Sequence, residues 1–292
     1  MTISRRRFIG TTAGAVAAFG LGGRMAYANP LGLPLGIQLY SVRREMAGDF
    51  EGTLAGVAEA GYTEVESAAL PKKSAKEIRA ALDTAGLKCV SSHRGFADFK
   101  DRFDETVAFD KECGVSNMIC PGPGKRDASV KGPMTLDDWH YNAEQFNLFG
   151  EKLAKMGITF GYHNHTGEFA ETEGKIPYFE LLRLTDPKKV TFELDCGWAF
   201  VAGRNPVDLM KTYPYRFSMI HVKDFKLPPN PSPEAREQAK VTELGQGSTD
   251  YKPVFAQAAK TQHIRHAFVE QEAFDMPWKQ SLSVDAAYLK AL

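Results

Sequence analysis

The sequence predicts a single (β/α)8 barrel, because strand-like and helix-like segments alternate along most of its length. Eight short apolar segments of strand length recur, and the residues between them have helical patterning. The strand segments are residues 35–40, 62–67, 87–92, 116–121, 158–163, 190–195, 217–223 and 266–271. Eight strands alternating with helices over about 260 residues is the size and pattern of this barrel. A doubly wound open sheet is the competing architecture, but no Gly-x-Gly-x-x-Gly follows the first strand.

The segments between the strands have recognisable helix ends. Ser74 and Glu77 form a capping box ahead of a helix that Gly86 closes. Asn205-Pro206 is an N-cap followed by a proline at the first helical position. Residues 227–233 (LPPNPSP) are rich in proline, which predicts an ordered excursion after the seventh strand rather than a domain boundary.

The first 28 residues have the features of an export signal. Arg5 and Arg6 precede a mild apolar run, and residues 26–28 (AYA) form a small-x-small cleavage site. The run from Phe8 to Leu21 is too short and too rich in glycine for a membrane span. We therefore expect residues 1–28 to be a twin-arginine signal peptide and residues 29–292 to be the barrel. The mature protein would be periplasmic or secreted, and it would have no membrane anchor.

Charge and cysteine content restrict the partners. Lys plus Arg equals Asp plus Glu, at 36 each, so the chain has no net positive charge to attract nucleic acid. The four cysteines include no Cys-x-x-Cys pair and lie in or beside apolar segments. We expect them to be buried free thiols. The oligomeric state is not indicated by the sequence.

Pairs of polar residues, two positions apart, fall at the ends of the last four predicted strands. The pairs are His163/His165, Glu193/Asp195, His221/Lys223 and Glu270/Glu272. Residues i and i+2 of a strand lie on the same face, so each pair should project to one side. The active site of a (β/α)8 barrel lies at the C-terminal ends of its strands, and this arrangement predicts one polar pocket there.

Several of these residues are candidate metal ligands. Asp195 and Glu270 end apolar strands, where a buried carboxylate must be paired, hydrogen-bonded or metal-bound. His221 lies across from Asp195, and His163 and His165 add two imidazoles. Nitrogen and oxygen ligands of this kind suit one divalent ion of zinc, manganese, iron or cobalt.

The chain resembles the sugar phosphate isomerase/epimerase superfamily, the xylose isomerase-like barrels, and in particular its exported members. The segments Tyr162–His165 (YHNH) and His221–Asp224 (HVKD) express the resemblance, which extends over essentially the whole mature chain. In that family a divalent metal is usually held by Glu, Asp, His and Glu at the ends of strands five to eight. The resemblance implies that Asp195, His221 and Glu270 are the last three ligands.

The first ligand position departs from the family pattern, because His163 stands where a glutamate is usual. Three outcomes follow: a His-Asp-His-Glu site, a site that recruits Glu168 from the next loop, or a weakened site. Family epimerases use two glutamates as acid and base, and one of them is absent here. His165 is then the expected second base, since an unperturbed imidazole pKa near 6.5 suits proton transfer.

The resulting prediction is a metal-dependent sugar isomerase or epimerase that acts on a small non-phosphorylated carbohydrate. His165, Glu270 and Lys223 would be catalytic, with Lys223 holding an oxyanion or pairing with Glu193 or Asp224. The predicted substrate-binding residues are Gln38, Tyr40, Glu66, His93 and Trp198. A 3-keto-glycoside lyase and a catalytically silent sugar-binding barrel are the alternatives. An endonuclease of the same fold is disfavoured, because the chain is neutral and offers fewer ligands than a three-metal site needs.

Overall fold

The computed structural model describes residues 28–292, and the predicted export signal therefore lies almost entirely outside the described part of the chain. Eight of its strands are parallel and form a closed barrel in the order β1-β10-β7-β6-β5-β4-β3-β2. In chain order the strands are β1 (Gly36–Gln38), β2 (Glu64–Ser67), β3 (Lys88–His93), β4 (Asn117–Cys120), β5 (Thr159–His163), β6 (Val190–Asp195), β7 (Phe217–Val222), β8 (Asp224–Lys226), β9 (Lys240–Thr242) and β10 (His266–Val269). The predicted (β/α)8 barrel is confirmed.

Helices surround the barrel and connect successive strands. They are α1 (Arg43–Gly48), α2 (Phe50–Glu59), α3 (Ala75–Ala85), α4 (Phe96–Asp101), α5 (Phe103–Cys113), α6 (Leu136–Ala154), α7 (Pro177–Leu184), α8 (Cys196–Val201), α9 (Pro206–Thr212), α10 (Pro233–Glu237), α11 (Tyr251–Thr261) and α12 (Trp278–Ala291). The Ser74/Glu77 capping box is present at the start of α3, and Gly86 closes that helix with φ +73°. Asn205 caps α9 as predicted. Among the described residues, no helix is both long and apolar enough to cross a membrane.

Apolar side chains fill the barrel below the polar end of its strands. Phe192, Leu194, Ile220 and Val222 are fully buried and pack toward the surrounding helices. Inside the barrel, Ile119, Met219 and Phe268 form a separate apolar cluster. The four cysteines are buried and free, as expected from the sequence. An apolar layer thus lies inside the barrel, below the polar residues at the C-terminal ends of the strands.

A short antiparallel hairpin of β8 and β9 extends from the barrel after β7. Its connecting segment contains the proline-rich residues 227–233 and the helix α10. Asp224 anchors the return of this excursion, because its carboxylate accepts hydrogen bonds from the backbone N–H of Gly245, Gly247 and Thr249. The excursion is therefore ordered, as the sequence predicts.

Candidate metal centre

Strand register places the polar side chains at two levels inside the barrel. His163 on β5 lies opposite Glu193 on β6, and Asp195 on β6 lies opposite His221 on β7. Glu193 is two residues before Asp195, so it projects into the same interior at a deeper level. The predicted convergence of these strand ends on one interior is therefore observed.

Four of the predicted ligands lie together. His163, Asp195, His221 and Glu270, called the metal set below, each offer a ligand atom, and these atoms lie within 4.8 Å of one another. All four residues are buried. One oxygen of Asp195, Oδ1, accepts a hydrogen bond from the backbone N–H of Trp198 at 2.6 Å, whereas Oδ2 is buried with no hydrogen-bond partner. A buried carboxylate oxygen left without a donor fits a site that binds a cation.

Lys223 lies beside the metal set with its ammonium group fully buried. Its Nζ is 2.6 Å from Glu270 Oε2, 2.6 Å from Glu272 Oε1 and 3.5 Å from Asp195 Oδ2. It also lies 4.7 Å from the centre of the Trp198 ring. Burial by itself lowers the pKa of Lys223, but Glu270, Asp195 and Glu272 outweigh it and hold that pKa above its usual value. Lys223 is therefore a permanent cation between three carboxylates.

Two pairings considered from the sequence are wrong. Lys223 pairs with neither Glu193 nor Asp224, because Asp224 is engaged by backbone N–H groups of the β8–β9 excursion and Glu193 lies one level deeper.

Glu168, considered as a replacement ligand, does not belong to the metal set. Its Oε1 accepts hydrogen bonds from the Tyr162 hydroxyl at 2.7 Å and from the backbone N–H of His165 at 3.1 Å. Glu168 thus fixes the loop after β5 through its carboxylate.

Beneath the metal set lie Glu66, His93 and Glu193, called the inner set below. His93 Nε2 is 3.0 Å from Glu66 Oε1 and 2.9 Å from Glu193 Oε2. Burial by itself lowers the pKa of His93, but Glu66 and Glu193 outweigh it and raise that pKa to about 9. His93 is therefore a cation that bridges two buried carboxylates.

The inner set contacts both imidazoles of the metal set. Glu193 Oε2 is 3.0 Å from Nδ1 of His163, and Glu66 Oε1 is 2.7 Å from Nε2 of His221. A carboxylate can only accept, so each of these ring nitrogens carries a proton. The opposite nitrogens then face the metal set: His163 Nε2 is 3.9 Å from Asp195 Oδ2, and His221 Nδ1 is 3.3 Å from Glu270 Oε2.

The two imidazoles differ in charge in the metal-free protein. Burial, together with the nearby His221, holds the pKa of His163 well below its usual value, so His163 is neutral. Burial acts in the same direction on His221, but Glu193, Glu270 and Glu66 outweigh it and hold its pKa well above the usual value. A cation bound at Nδ1 of His221 would displace the proton that faces Glu270. Burial raises the pKa of Asp195 to about 6, although the nearby Lys223 ammonium acts to lower it.

The remaining predicted residues occupy different positions. Gln38 is fully buried and donates a hydrogen bond to Glu66 Oε1 at 2.7 Å, whereas Tyr40 is exposed beneath the Arg43 guanidinium. His165 is half-buried, and its ring centre lies 4.8 Å from that of His163 and 6.3 Å from that of Trp198. The contact of Gln38, Tyr40 and His165 with substrate stays a prediction.

A groove of 480 Å³ opens beside Trp198, between Phe169 and Arg236. No residue of the metal set lines this groove. Trp198, which does line it, also has its ring centre 4.7 Å from Lys223 Nζ. Its volume is within the range of small-molecule sites.

Sequence reasoning did not assign a site role to Glu193 or Glu272. Glu193 is at the centre of the inner set, and Glu272 contacts Lys223 directly. The two-residue spacing from Asp195 and from Glu270 places both in the predicted polar pocket, but it does not indicate a role for either. Tyr251 was also missed: its hydroxyl donates to the carbonyl of Lys223 and accepts from its N–H, at 2.7 and 2.8 Å. It fixes the backbone between β7 and β8.

Comparison with known proteins places this geometry in a family. A family model described as xylose isomerase-like TIM barrel matches residues 54–292. An inosose dehydratase of Clostridium botulinum is 24% identical over 252 residues, which cover 76% of this chain and 82% of the relative. The crystal structure of a sugar phosphate isomerase/epimerase from Parabacteroides distasonis has a TM-score of 0.71 and 28% identity, covering 88% of this chain and 93% of that one. IOLI protein, solved with a bound zinc atom, shares the fold with a TM-score of 0.66 at 12% identity, covering 87% and 95% of the two chains.

Proposed function

We propose a function on the premise that the chain belongs to the xylose isomerase-like TIM barrel family, an enzyme superfamily. The protein is a divalent-metal-dependent enzyme that removes a proton next to a carbonyl group of a non-phosphorylated carbohydrate. The observation that supports it best is the metal set, four buried ligands from four strand ends with Asp195 Oδ2 left without a donor. Proton abstraction of this kind needs a positive charge near the carbonyl oxygen and a base beside it.

The donor atoms favour particular ions. The metal set offers two imidazole nitrogens and two carboxylates, a mixed set that suits zinc, cobalt, iron or manganese better than magnesium. The zinc atom in IOLI is consistent with this choice. When bound, such an ion would stabilise negative charge on a carbonyl oxygen of the substrate.

His165 is the proposed base. Burial, the largest influence, lowers its pKa, and Lys223 acts in the same direction, so the imidazole is neutral and able to accept a proton at neutral pH. The ring lies above His163 at the half-buried end of the pocket, where a substrate bound to the metal set would approach it. The Lys223 ammonium, which keeps its proton, would donate a hydrogen bond to a substrate oxygen.

Elimination is the outcome we place first. Epimerisation needs an acid and a base on opposite faces of the sugar, and the family glutamate that would supply one of them is replaced by His163, which is neutral and committed to Glu193. Loss of water or of another β-substituent can proceed with a single acid–base group, because the protonated His165 can return its proton to the departing oxygen. The inosose dehydratase relative supports this order. Isomerisation or epimerisation is the second candidate, supported by the sugar phosphate isomerase/epimerase structure at 28% identity.

The substrate is proposed to lack phosphate. Lys223, the lysine beside the metal set, already contacts three carboxylates, so it has little remaining attraction for a phosphate dianion. The twin-arginine signal predicted at residues 1–28 would also place the enzyme outside the cytoplasm. The groove lined by Trp198 has the volume of a small-molecule site, and the centre of the Trp198 ring lies 4.7 Å from Lys223 Nζ.

Metal analysis of the purified protein tests the proposal. One ion of zinc, cobalt, iron or manganese per chain is expected, and Asp195→Ala, His221→Ala and Glu270→Ala should each lose it while circular dichroism stays unchanged. Glu180→Ala, which removes a peripheral carboxylate paired with His140 and Arg183, is the control and should keep the ion. Failure of the wild type to bind any of the four ions would overturn the proposal in favour of a sugar-binding barrel.

The reaction itself can be assigned in deuterated water. Inosose, simple ketoses and 3-keto-glycosides are incubated with the metal-loaded enzyme and followed by proton NMR. Elimination gives an unsaturated product and absorbance in the near ultraviolet, whereas epimerisation or isomerisation gives a saturated sugar labelled with deuterium. Absence of both signals across the panel would contradict catalysis on these substrates.

A further inference from the structure

Glu193 is buried below the metal set, and its Oε2 contacts the imidazoles of His93, His163 and His221, but it has no part in the proposed reaction. We propose that Glu193 is a positioning residue that selects the tautomer of His163 and so allows a histidine to serve as the first metal ligand. This inference rests on the proposed metal site. It concerns metal affinity, which does not depend on the identity of the substrate.

The selection follows from the number of protons. An imidazole that ligates a metal ion is neutral and therefore has one N–H group. Glu193 Oε2, at 3.0 Å from Nδ1, can only accept, so the proton lies on Nδ1 and the lone pair on Nε2. Nε2 is the nitrogen that faces Asp195. Without an acceptor at Glu193, the proton could move to Nε2, and His163 would then offer no lone pair to the ion.

Two irregularities of the sheet set which residues lie opposite the inner carboxylates. The pairing of β6 with β7 shifts register at Glu193, and the pairing of β2 with β3 shifts at Glu66. The extra residue is on the neighbouring strand in each case, on β7 and on β3, and bulges of this kind are common beside active sites. As a result Glu193 is level with a residue two positions before His221, and Glu66 is level with a residue two positions before His93, so each carboxylate shares the inward face with an imidazole of the next strand.

His93 keeps Glu193 in place. Its Nε2 bridges Glu193 and Glu66, and Glu66 is in turn held by Gln38 and by the Ser91 hydroxyl. This bridge supplies positive charge between two carboxylates that would otherwise repel each other in a buried site. Glu66 then acts on His221 as Glu193 acts on His163, through the contact with His221 Nε2 at 2.7 Å.

A second ion in the inner set is the rival interpretation, because His93, His163, Glu193 and His221 also offer ligand atoms within 4.8 Å. Three ring nitrogens lie 2.9 to 3.2 Å from the same oxygen, Glu193 Oε2. These are hydrogen-bond distances, and the oxygen occupies the point on which the nitrogens converge. The inner set is thus arranged as a carboxylate acceptor for imidazoles, the support that metal-binding histidines usually have.

The test is a zinc and cobalt titration of the full barrel, with a competing chelator and with circular dichroism as the check on folding. Glu193→Gln keeps the shape but removes the charge and puts an NH2 donor in place of one acceptor oxygen, so the proton is no longer fixed on His163 Nδ1, and we expect affinity for both ions to fall about 10- to 100-fold. Glu64→Gln is the matched control, because Glu64 accepts from His266 Nδ1 at 2.8 Å on β2 and β10 outside both sets. It should leave the affinity unchanged.

Repeating Glu193→Gln in a variant that lacks His163 shows whether Glu193 acts through the His163 tautomer or through a general effect on the structure. In His163→Glu the first ligand is a carboxylate, which needs no tautomer and lies next to Glu193. Adding Glu193→Gln to that variant should leave metal affinity unchanged or raise it, since one of two adjacent negative charges is removed.

Each other outcome overturns the inference. Wild-type affinity in Glu193→Gln, or the same loss in both backgrounds, would mean that Glu193 does not act through His163. Two ions per wild-type chain, one of them lost in Glu193→Gln, would make the inner set a metal site. No ion in the wild type would overturn this inference together with the proposed function, whereas the first three results leave the proposed function intact.

Discussion

Replacing Lys223 with Met should destabilise the metal-free protein strongly and increase its affinity for a divalent ion. The change keeps an unbranched side chain but removes the ammonium from between Asp195, Glu270 and Glu272. Asp195 and Glu270 are buried, and Glu272 is 30% exposed, so only the third charge can be screened by water. Removing one partner from a buried ion pair typically costs about 3–5 kcal/mol, and we expect a loss in the free energy of unfolding of that size.

A bound ion should restore part of this loss. In the wild type Lys223 competes with the ion for Glu270 and Asp195, whereas in the variant the ion is the main source of positive charge. Each tenfold gain in affinity contributes about 1.4 kcal/mol to the folded state at a saturating ion concentration. A variant that binds zinc about 100-fold more tightly would therefore recover about 3 kcal/mol.

Urea unfolding followed by circular dichroism, once with chelator and once with excess zinc, measures both effects. Lys226→Met is the control: its ammonium pairs with Asp275 at 2.6 Å, but both side chains are about half exposed, so water screens the pair and the change should have little effect on stability in either condition. The reasoning fails if Lys223→Met is as stable as the wild type in chelator. It also fails if the stability difference is the same with and without zinc.

Three further predictions concern other parts of the chain. His165→Gln should keep the metal ion but lose turnover by roughly two to four orders of magnitude, the usual contribution of a general base; loss of the ion along with activity would assign His165 to metal binding instead. Asp285 is buried, which raises its pKa to about 8, so the folded protein keeps a proton that the unfolded chain releases above pH 4, and stability should fall as pH rises from about 4 to 8. Asp285→Asn should flatten this decline in urea unfolding, and an unchanged profile would mean that Asp285 is ionised in the fold. Lys in place of both Arg5 and Arg6 should retain the precursor in the cytoplasm on cell fractionation, and normal export would contradict the twin-arginine assignment.

The barrel could be predicted because its strands are short and buried on both faces. Val190–Asp195 alternates apolar and polar residues, and Phe217–Val222 has four apolar residues of six; short segments of this kind between helix signals identify strands without knowledge of their neighbours. The hairpin of β8 and β9 was not predicted as strands. Each has three residues, and the pair is ordered by Asp224 through backbone contacts that are distant in sequence.

The metal set could be predicted from the sequence, but the hydrogen bonds that orient its two imidazoles could not. The two-residue spacing within a strand is enough to place Asp195 and Lys223 on inward faces, and strand ends at one edge of a barrel must meet.

Which imidazole nitrogen faces the ion depends instead on Glu193 and Glu66, and register shifts decide which residues of the neighbouring strands lie opposite these two carboxylates. A shift of one residue changes which side chains are opposite each other and has no signature in either strand alone. The substitution of His163 for the usual glutamate can therefore be recognised in the sequence. The means by which the barrel accommodates it becomes visible only when β5, β6 and β3 are brought together, because the acceptor for His163 is on one neighbouring strand and the cation that holds that acceptor is on another.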